Sequence, residues 1–465
     1  MADTLHQILE SPPGRFVAER LGVPTPATLR RYEPGQPLLE GPALLGGAAG
    51  ARLLPSATTI LRSTGSEVHR FGGDHIKKAV SRGKDYAPSD EDDQRFSALI
   101  YDASGIANTE GLRDIYEFFH PTIRKVAASG RIIVLATPPE QSESPNQAIA
   151  QRALEGFTRS IAKEVGGKGA TVQLVYVAPG GGEKNLESTL RFLASSKSAF
   201  VDAQVIRVGA GETGTVKDWE KPLDGKVAVV TGASRGIGRS IAETMARDGA
   251  HVICLDIPAM GDELAKVANA VGGEAVQMDV TDADAPATLV EYLKERHGGV
   301  DIIVHNAGIT KDKTLGRMDD SQWDAVLAVN LTSQERFNDA LLEGDTLRPD
   351  GRIITVSSMS GIAGNRGQSN YAITKAGVIG TVDALAPVLA ERRATINAVA
   401  PGFIETAMTQ AMPAATREAG RRMSSLAQGG LPVDVAETIC WFASPASGGV
   451  NGNVVRVDGQ NLLGA

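Results

Sequence analysis

Short apolar runs alternate with stretches of helical periodicity along most of the chain. In the first half, Ala98–Tyr101, Ile132–Leu135 and Val172–Val177 each read as a strand, with helical apolar spacing over 109–128 and 145–165 between them. In the second half, Val227–Val230, His251–Asp256, Val276–Val280, Val300–His305 and Arg352–Val356 read the same way. A helix from Arg239 to Asp248 is closed by Gly249. Strands that are apolar end to end and separated by helices predict parallel sheets covered on both faces. Residues 1–95 carry a weaker pattern. There Glu33-Pro34-Gly35-Gln36-Pro37 breaks structure, 42–50 reads as a strand entering a glycine turn without phosphate-loop spacing, and the acidic run 89–93 reads as a solvated loop.

The two halves echo each other in order. Gly130-Arg131-Ile132-Ile133-Val134 matches Gly351-Arg352-Ile353-Ile354-Thr355, Val177-Ala178-Pro179-Gly180 matches Val399-Ala400-Pro401-Gly402, and Val205–Val208 matches Val454–Val457. One topology used twice is the expectation. The small, polar, glycine-rich stretch 209–224 marks the linker, so the predicted domains are 1–208 and 225–465. A chain of 465 residues also exceeds one comfortable core.

A net charge of −8 and a pI near 5.5 argue against nucleic acid as the partner. The stretch 1–6 has neither a basic region nor an apolar stretch, and no run of about 18 apolar residues is evident. The expectation is a cytoplasmic protein without a membrane span. Cys254 and Cys440 lack metal-ligand spacing and read as buried free thiols, so no metal is expected.

The chemistry gathers around Thr231-Gly232-Ala233-Ser234-Arg235-Gly236-Ile237-Gly238, a glycine turn between a strand and a helix. Such a turn lets the backbone approach a pyrophosphate and aims helical N–H groups at it. Asp256 ends the next strand, 18 positions past Gly238, where a carboxylate accepts from ribose hydroxyls and repels a 2′-phosphate. It favours NADH over NADPH, whereas Arg235 in the turn points the other way. Asp279-Val280 ends the third predicted strand and either caps a loop or lies near the adenine. His305 reads as packed, and Asn306-Ala307-Gly308 leaves room for a flat ring. Asn330 ends an apolar helical stretch, and a strand delivers Ser357-Ser358 to the carboxyl edge of the sheet. Tyr371 and Lys375 lie one helical turn apart, where an ammonium is expected to lower the phenol's pKa from about 10.

These features resemble the short-chain dehydrogenase/reductase family over about 235 residues, from Thr231 to the C-terminus. Gly364–Tyr371 and Ala400–Thr406 look like 3-oxoacyl-thioester reductases of fatty acid synthesis, and the extra N-terminal half like their high-molecular-weight two-domain form. The implied fold is α/β, with two doubly wound parallel sheets. The N-terminal one is a degenerate Rossmann or flavodoxin-like domain and the C-terminal one a Rossmann ketoreductase. In the catalytic set the resemblance implies, Tyr371 donates a proton, Ser358 holds the substrate oxygen, Lys375 binds the nicotinamide ribose, and Asn330 holds a water. The cofactor contacts would come from Gly232, Ser234, Arg235, Gly236, Ile237, Gly238, Asp256, Asp279, Val280, Asn306, Ala307, Gly308, Tyr371, Lys375, Pro401, Gly402, Ile404 and Thr406. Residues 405–430, absent from the first half, would form a substrate lid. Arg392 and Arg393 are either a carrier or CoA phosphate contact or a solvated pair. The substrates implied are 3-oxoacyl-CoA or 3-oxoacyl-acyl carrier protein, and the assembly implied is a homo-oligomer, with a dimer favoured. Gln147 and Gln151 fall where the second half has Tyr371 and Lys375, so the first half is expected to be silent. A reductase of another ketone, steroid or polyketide in type, and a nucleotide-binding regulatory scaffold stay open.

Overall fold

The computed structural model describes residues 26–463 apart from Asp90 and Ala411, and leaves the side chain of Met408 undescribed; the reading of residues 1–6 lies outside that range. The first half builds seven strands: β1 (Ala43–Gly47), β2 (Val68–Arg70), β3 (Lys84–Asp85), β4 (Phe96–Asp102), β5 (Val126–Ala136), β6 (Thr171–Val177) and β7 (Val205–Val208). The second half builds β8 (Val227–Thr231), β9 (His251–Asp256), β10 (Glu274–Gln277), β11 (Val300–His305), β12 (Leu347–Val356), β13 (Thr395–Pro401) and β14 (Val454–Val457). The sheet orders are β3-β2-β1-β4-β5-β6-β7 and β10-β9-β8-β11-β12-β13-β14, one topology used twice. Every strand pairing is parallel. Of the two alternatives for the first half, this order is the Rossmann one, with the reversal between β1 and β4.

The central strands are the apolar runs of the sequence, and β6, β11 and β13 are buried at every position. The outer strands are not. β3 is the edge strand and β2 its neighbour; at two and three residues, largely polar, both are too short to register as apolar runs. β10 is a correction: it spans 274–277 rather than 276–280. Its Val276 and Glu274 are partly buried and alternate with exposed Ala275 and Gln277, as befits an edge. The next amide, Met278 N, still donates to Asp256 O at 2.8 Å, after which the chain turns.

The two halves meet through corresponding surfaces. Residues 191–208 align with 440–457 without a gap, so Phe192 corresponds to Trp441, and the two rings stack at 4.7 Å and 4°. Gln204 Oε1 accepts from Arg456 N at 2.9 Å, while its counterpart Asn453 accepts through Oδ1 from Arg207 N at 2.8 Å. Reciprocal contacts between equivalent residues are the mark of an isologous pairing, here within one chain. One apolar cluster runs through both halves. The linker is seated on this junction: Gly209 N donates to Gly449 O and Gly214 N to Pro445 O, and a Cβ on Gly448 would lie 2.1 Å from Glu212 O. Arg31 crosses from the N-terminal segment to hold Asp434 with two guanidinium nitrogens.

One helix departs from the expectation about apolar length. Helix Ser369–Glu391 contains an 18-residue window of mean hydropathy 1.4, long and apolar enough to cross a membrane by composition. Only a third of that window is buried within the chain, and Ile373 and Val388 stand exposed on its outer side. An apolar inner face against the sheet combined with an apolar outer face produces this hydropathy.

Candidate active site

β8 delivers the glycine turn to the carboxyl edge of the second sheet, at the reversal between β8 and β11. Gly232 has φ +68° and Gly236 φ +57°, conformations that suit glycine. A Cβ on Gly238 would fall 2.0 Å from Gly232 O and 2.5 Å from Asn306 Nδ2, so the helix starts in direct contact with the turn. Asn306 Nδ2 donates to Thr231 O at 2.9 Å, and Thr231 Oγ1 accepts from the amides of Asn306 and Ala307 at 3.0 Å each. Thr231 is therefore a tether that sequence reasoning left unassigned; its position at the strand's last residue was the available clue. Asp256 stands at the end of β9, taking Ser234 N on Oδ2 at 3.1 Å and Ile257 N on Oδ1 at 2.9 Å. Arg235 is exposed, and Ile237 packs against the core.

Three features fit a dinucleotide. Helix Gly236–Arg247 has no side-chain cap on its first N–H groups, the space beside Gly236 is open, and Ser234 Oγ is buried without a partner.

Ser358, Tyr371 and Lys375 converge beside this edge. Ser358 caps helix Met359–Ala363, accepting Ser360 N at 3.1 Å, and stands near enough to the Tyr371 phenol to act on its pKa. Lys375 is buried, with Nζ donating to Val356 O at 2.7 Å and lying 5.5 Å from the centre of the Tyr371 ring. Its own backbone carbonyl accepts from Ser357 Oγ at 2.7 Å, so the Ser-Ser doublet ties the helix to the end of β12. Asn330 is fully buried within a π-type turn, 328–332, between Asp320–Leu327 and Ser333–Glu343. Its amide spans Ile309, accepting N–H at 2.8 Å and donating to the carbonyl at 3.0 Å, while its opened carbonyl accepts from Gln334 Nε2. A Cβ on Gly308 would lie 3.4 Å from Asn330 Oδ1 and 3.6 Å from Lys375 Nζ, so all three meet there.

The expected lowering of the tyrosine pKa is a second correction. Burial pushes the Tyr371 pKa up, the nearby Ser358 hydroxyl only partly offsets this, and Asp312 adds to the rise. The ammonium stands 5.5 Å from the ring centre and bonds a carbonyl, and burial brings its own pKa down to about 8.

Sequence comparison agrees with this geometry. The profile described as enoyl-(acyl carrier protein) reductase matches residues 232–459. The 3-oxoacyl-(acyl-carrier-protein) reductase FabG of Vibrio cholerae is 41% identical over 237 residues, 51% of this chain and 97% of that protein. The FabG of Thermotoga maritima is 42% identical over 244 residues, 52% of this chain and 99% of that protein. The chain belongs to the short-chain dehydrogenase/reductase family.

In this short-chain dehydrogenase/reductase, the remaining residues singled out from the sequence divide into two groups. Pro401 ends β13 beside the site, and Gly402 approaches Asp458 so closely that a Cβ would lie 2.5 Å from its side chain. Ile404 is buried with its carbonyl taken by Thr409 Oγ1, and Thr406 N donates to the same hydroxyl. Val280 is buried. Asp279 caps its own turn, accepting from Thr281 N and Oγ1 at 2.9 and 2.7 Å. His305 is packed as expected: buried, bonded to Asn338 Oδ1 at 2.8 Å, and lowered by burial to about 4.

Arg392 and Arg393 are not brought to the cleft. They follow the far end of helix Ser369–Glu391 and precede β13, on the opposite edge of the sheet. Arg392 donates to Leu342 O, and Arg393 pairs with Asp350 at 3.0 Å and Glu212 at 3.3 Å.

The lid stretch folds as helices Ala407–Gln410 and Ala414–Arg422, pinned by Arg421 to Glu405 at 2.6 Å. Its return limb rests on the first half. Gln428 donates to Ala27 O, and a Cβ on Gly166 or Gly430 would strike Ser425 O or the Phe200 ring.

The corresponding place in the first sheet is filled by the protein itself. Asp102 Oδ2 accepts from Leu53 N and Leu54 N at 2.5 and 2.9 Å, putting a buried carboxylate on the N-terminus of helix Leu54–Ser63. Gln151 occupies the position of Lys375, with its amide donating to Ala103 O and Ile106 O and accepting from Thr137 N. Gln147, at the Tyr371 position, accepts from Glu143 N.

Proposed function

We propose that the second half reduces 3-oxoacyl thioesters, on CoA or acyl carrier protein, to 3-hydroxyacyl thioesters in fatty acid metabolism, with NADH as the preferred reductant. The observation that carries this reading is the convergence of Ser358, Tyr371, Lys375 and Asn330 beside an uncapped helix N-terminus. When bound, the reduced nicotinamide supplies the hydride. Tyr371 gives its phenolic proton to the 3-oxo oxygen, and a raised pKa keeps that proton in place until an alkoxide develops. Ser358 donates to the same oxygen and fixes the carbonyl plane. Lys375 holds the ribose hydroxyls, and Asn330 holds a water through which Tyr371 is reprotonated. The first half, with Asp102 and Gln151 filling the equivalent places, is non-catalytic and buttresses the lid's return limb. The boundaries proposed for the two units are 1–208 and 225–465.

The test is loss of nicotinamide absorbance with acetoacetyl-CoA and with acetoacetyl carrier protein. Turnover on either supports the reading, and none on any acyl thioester removes it. Asp256 carries the cofactor preference because its Oδ2 faces the glycine turn, accepting from Ser234 N. Asp256→Ala is expected to cut the NADH-over-NADPH ratio of kcat/KM by roughly tenfold or more, about 1.4 kcal/mol. An unchanged ratio would assign the preference elsewhere.

Lys375 sets an alkaline limit. Its pKa is depressed to about 8, so the cation is lost as pH rises through that value, while Tyr371 stays protonated. We expect kcat/KM for the cofactor to fall about tenfold per pH unit above that point. A flat profile to pH 9.5 would contradict it.

The outer apolar face of Ser369–Glu391 supports a homodimer built on that helix, because the surface around β14 is already used by the first half. Light scattering at the monomer mass would reject the dimer.

A further inference from the structure

Three ligand-type side chains meet at the edge of the second sheet farthest from the glycine turn. His251 opens β9, Glu274 opens β10, and His297 closes helix Ala285–His297. His251 Nε2 lies 2.7 Å and His297 Nε2 3.3 Å from Glu274 Oε1, and the three atoms fall within 4.8 Å of one another. Ligands bonded to a tetrahedral zinc at 2.0–2.1 Å stand roughly 3.3 Å apart, so small side-chain rotations would seat the ion.

The hydrogen bond between His251 and Glu274 leaves the third side chain unaccounted for. His297 Nε2 is buried yet has no hydrogen-bond partner, because the nearby carboxylate oxygen is out of line with its ring. Glu274 Oε2 is held by the Tyr292 hydroxyl, which turns Oε1 toward both imidazoles and acts as an outer support. The local cations are otherwise engaged: Arg348 pairs with Asp301 at 2.5 Å, and Arg296 lies over the Tyr292 ring. His251 is 40% exposed, leaving a route for the ion and a fourth, solvent position.

We propose that His251, Glu274 and His297 form a zinc site with water as the fourth ligand, tying β9 and β10 to the helix that covers them. Asp256 ends the same β9 that His251 begins, so the ion would stiffen the strand that presents the carboxylate. Two imidazoles and one carboxylate suit Zn²⁺ better than Mg²⁺ or Ca²⁺, which take oxygen sets.

The test uses the full chain stripped by chelator and then given Zn²⁺ or Co²⁺ alone. One equivalent of zinc retained through desalting, a higher Tm, and the visible bands of tetrahedral cobalt are expected. Glu274→Gln and His297→Asn should each abolish retention, while Tyr292→Phe should weaken it by about 10- to 100-fold. Far-UV circular dichroism checks that each variant is folded. Failure of the folded parent to retain stoichiometric metal would overturn the site, as would undiminished retention by either folded ligand variant.

Discussion

Tyr371→Phe is expected to lower the turnover of an acetoacetyl thioester by roughly 10²–10⁴-fold while leaving cofactor binding nearly unchanged. The ring is packed beside Lys375 and stays so without its hydroxyl, so the variant removes one proton donor and little packing. Steady-state rates together with a fluorescence titration of reduced cofactor separate the two effects. A variant reducing substrate at the parental rate would mean that another group supplies the proton. The nearest hydroxyl, Ser358, would then be the one to replace.

Trp441→Ala is expected to be the most destabilising substitution at the junction between the halves. The indole is 5% exposed and stacks face to face with Phe192, and large aromatic-to-alanine changes in cores cost about 3–5 kcal/mol. A fall in Tm on the order of 5–10 °C should follow, read by calorimetry against Tyr116→Ala, whose aromatic ring is half exposed. A shift no larger than that control's would show that the junction contributes little to stability. Because the contact is reciprocal, Phe192→Ala should act in the same direction.

The sequence made the central strands and the Tyr371–Lys375 pairing legible for one reason: both rest on local spacing. Apolar runs buried on two faces cannot be mistaken for surface, and Tyr371 with Lys375 share a helix face by arithmetic alone. What escaped depends on distance through space. β2 and β3 are too short and polar to register, and β10 begins two residues early because an edge strand tolerates Glu274 and Ala275. The effect of Lys375 on Tyr371 turned on where the ammonium points, which spacing does not give. Burial then outweighed it. Arg392 and Arg393 look promising as a basic pair but stand at the opposite sheet edge, paired with acids and carbonyls of their own chain. His251, Glu274 and His297 are separated by 23 residues at each step, a spacing that fits no metal motif.

The carboxylate of Asp102 bears on how such a molecule answers to the redox state around it. A side chain covalently built into the chain meets the N-terminus of helix Leu54–Ser63 at a local concentration no diffusing phosphate can match, and it cannot be washed out. On the proposed reading, the first fold does not respond to coenzyme supply. An equilibrium titration is then expected to give one equivalent of coenzyme per polypeptide, without the homotropic behaviour that a pair of live sites would allow.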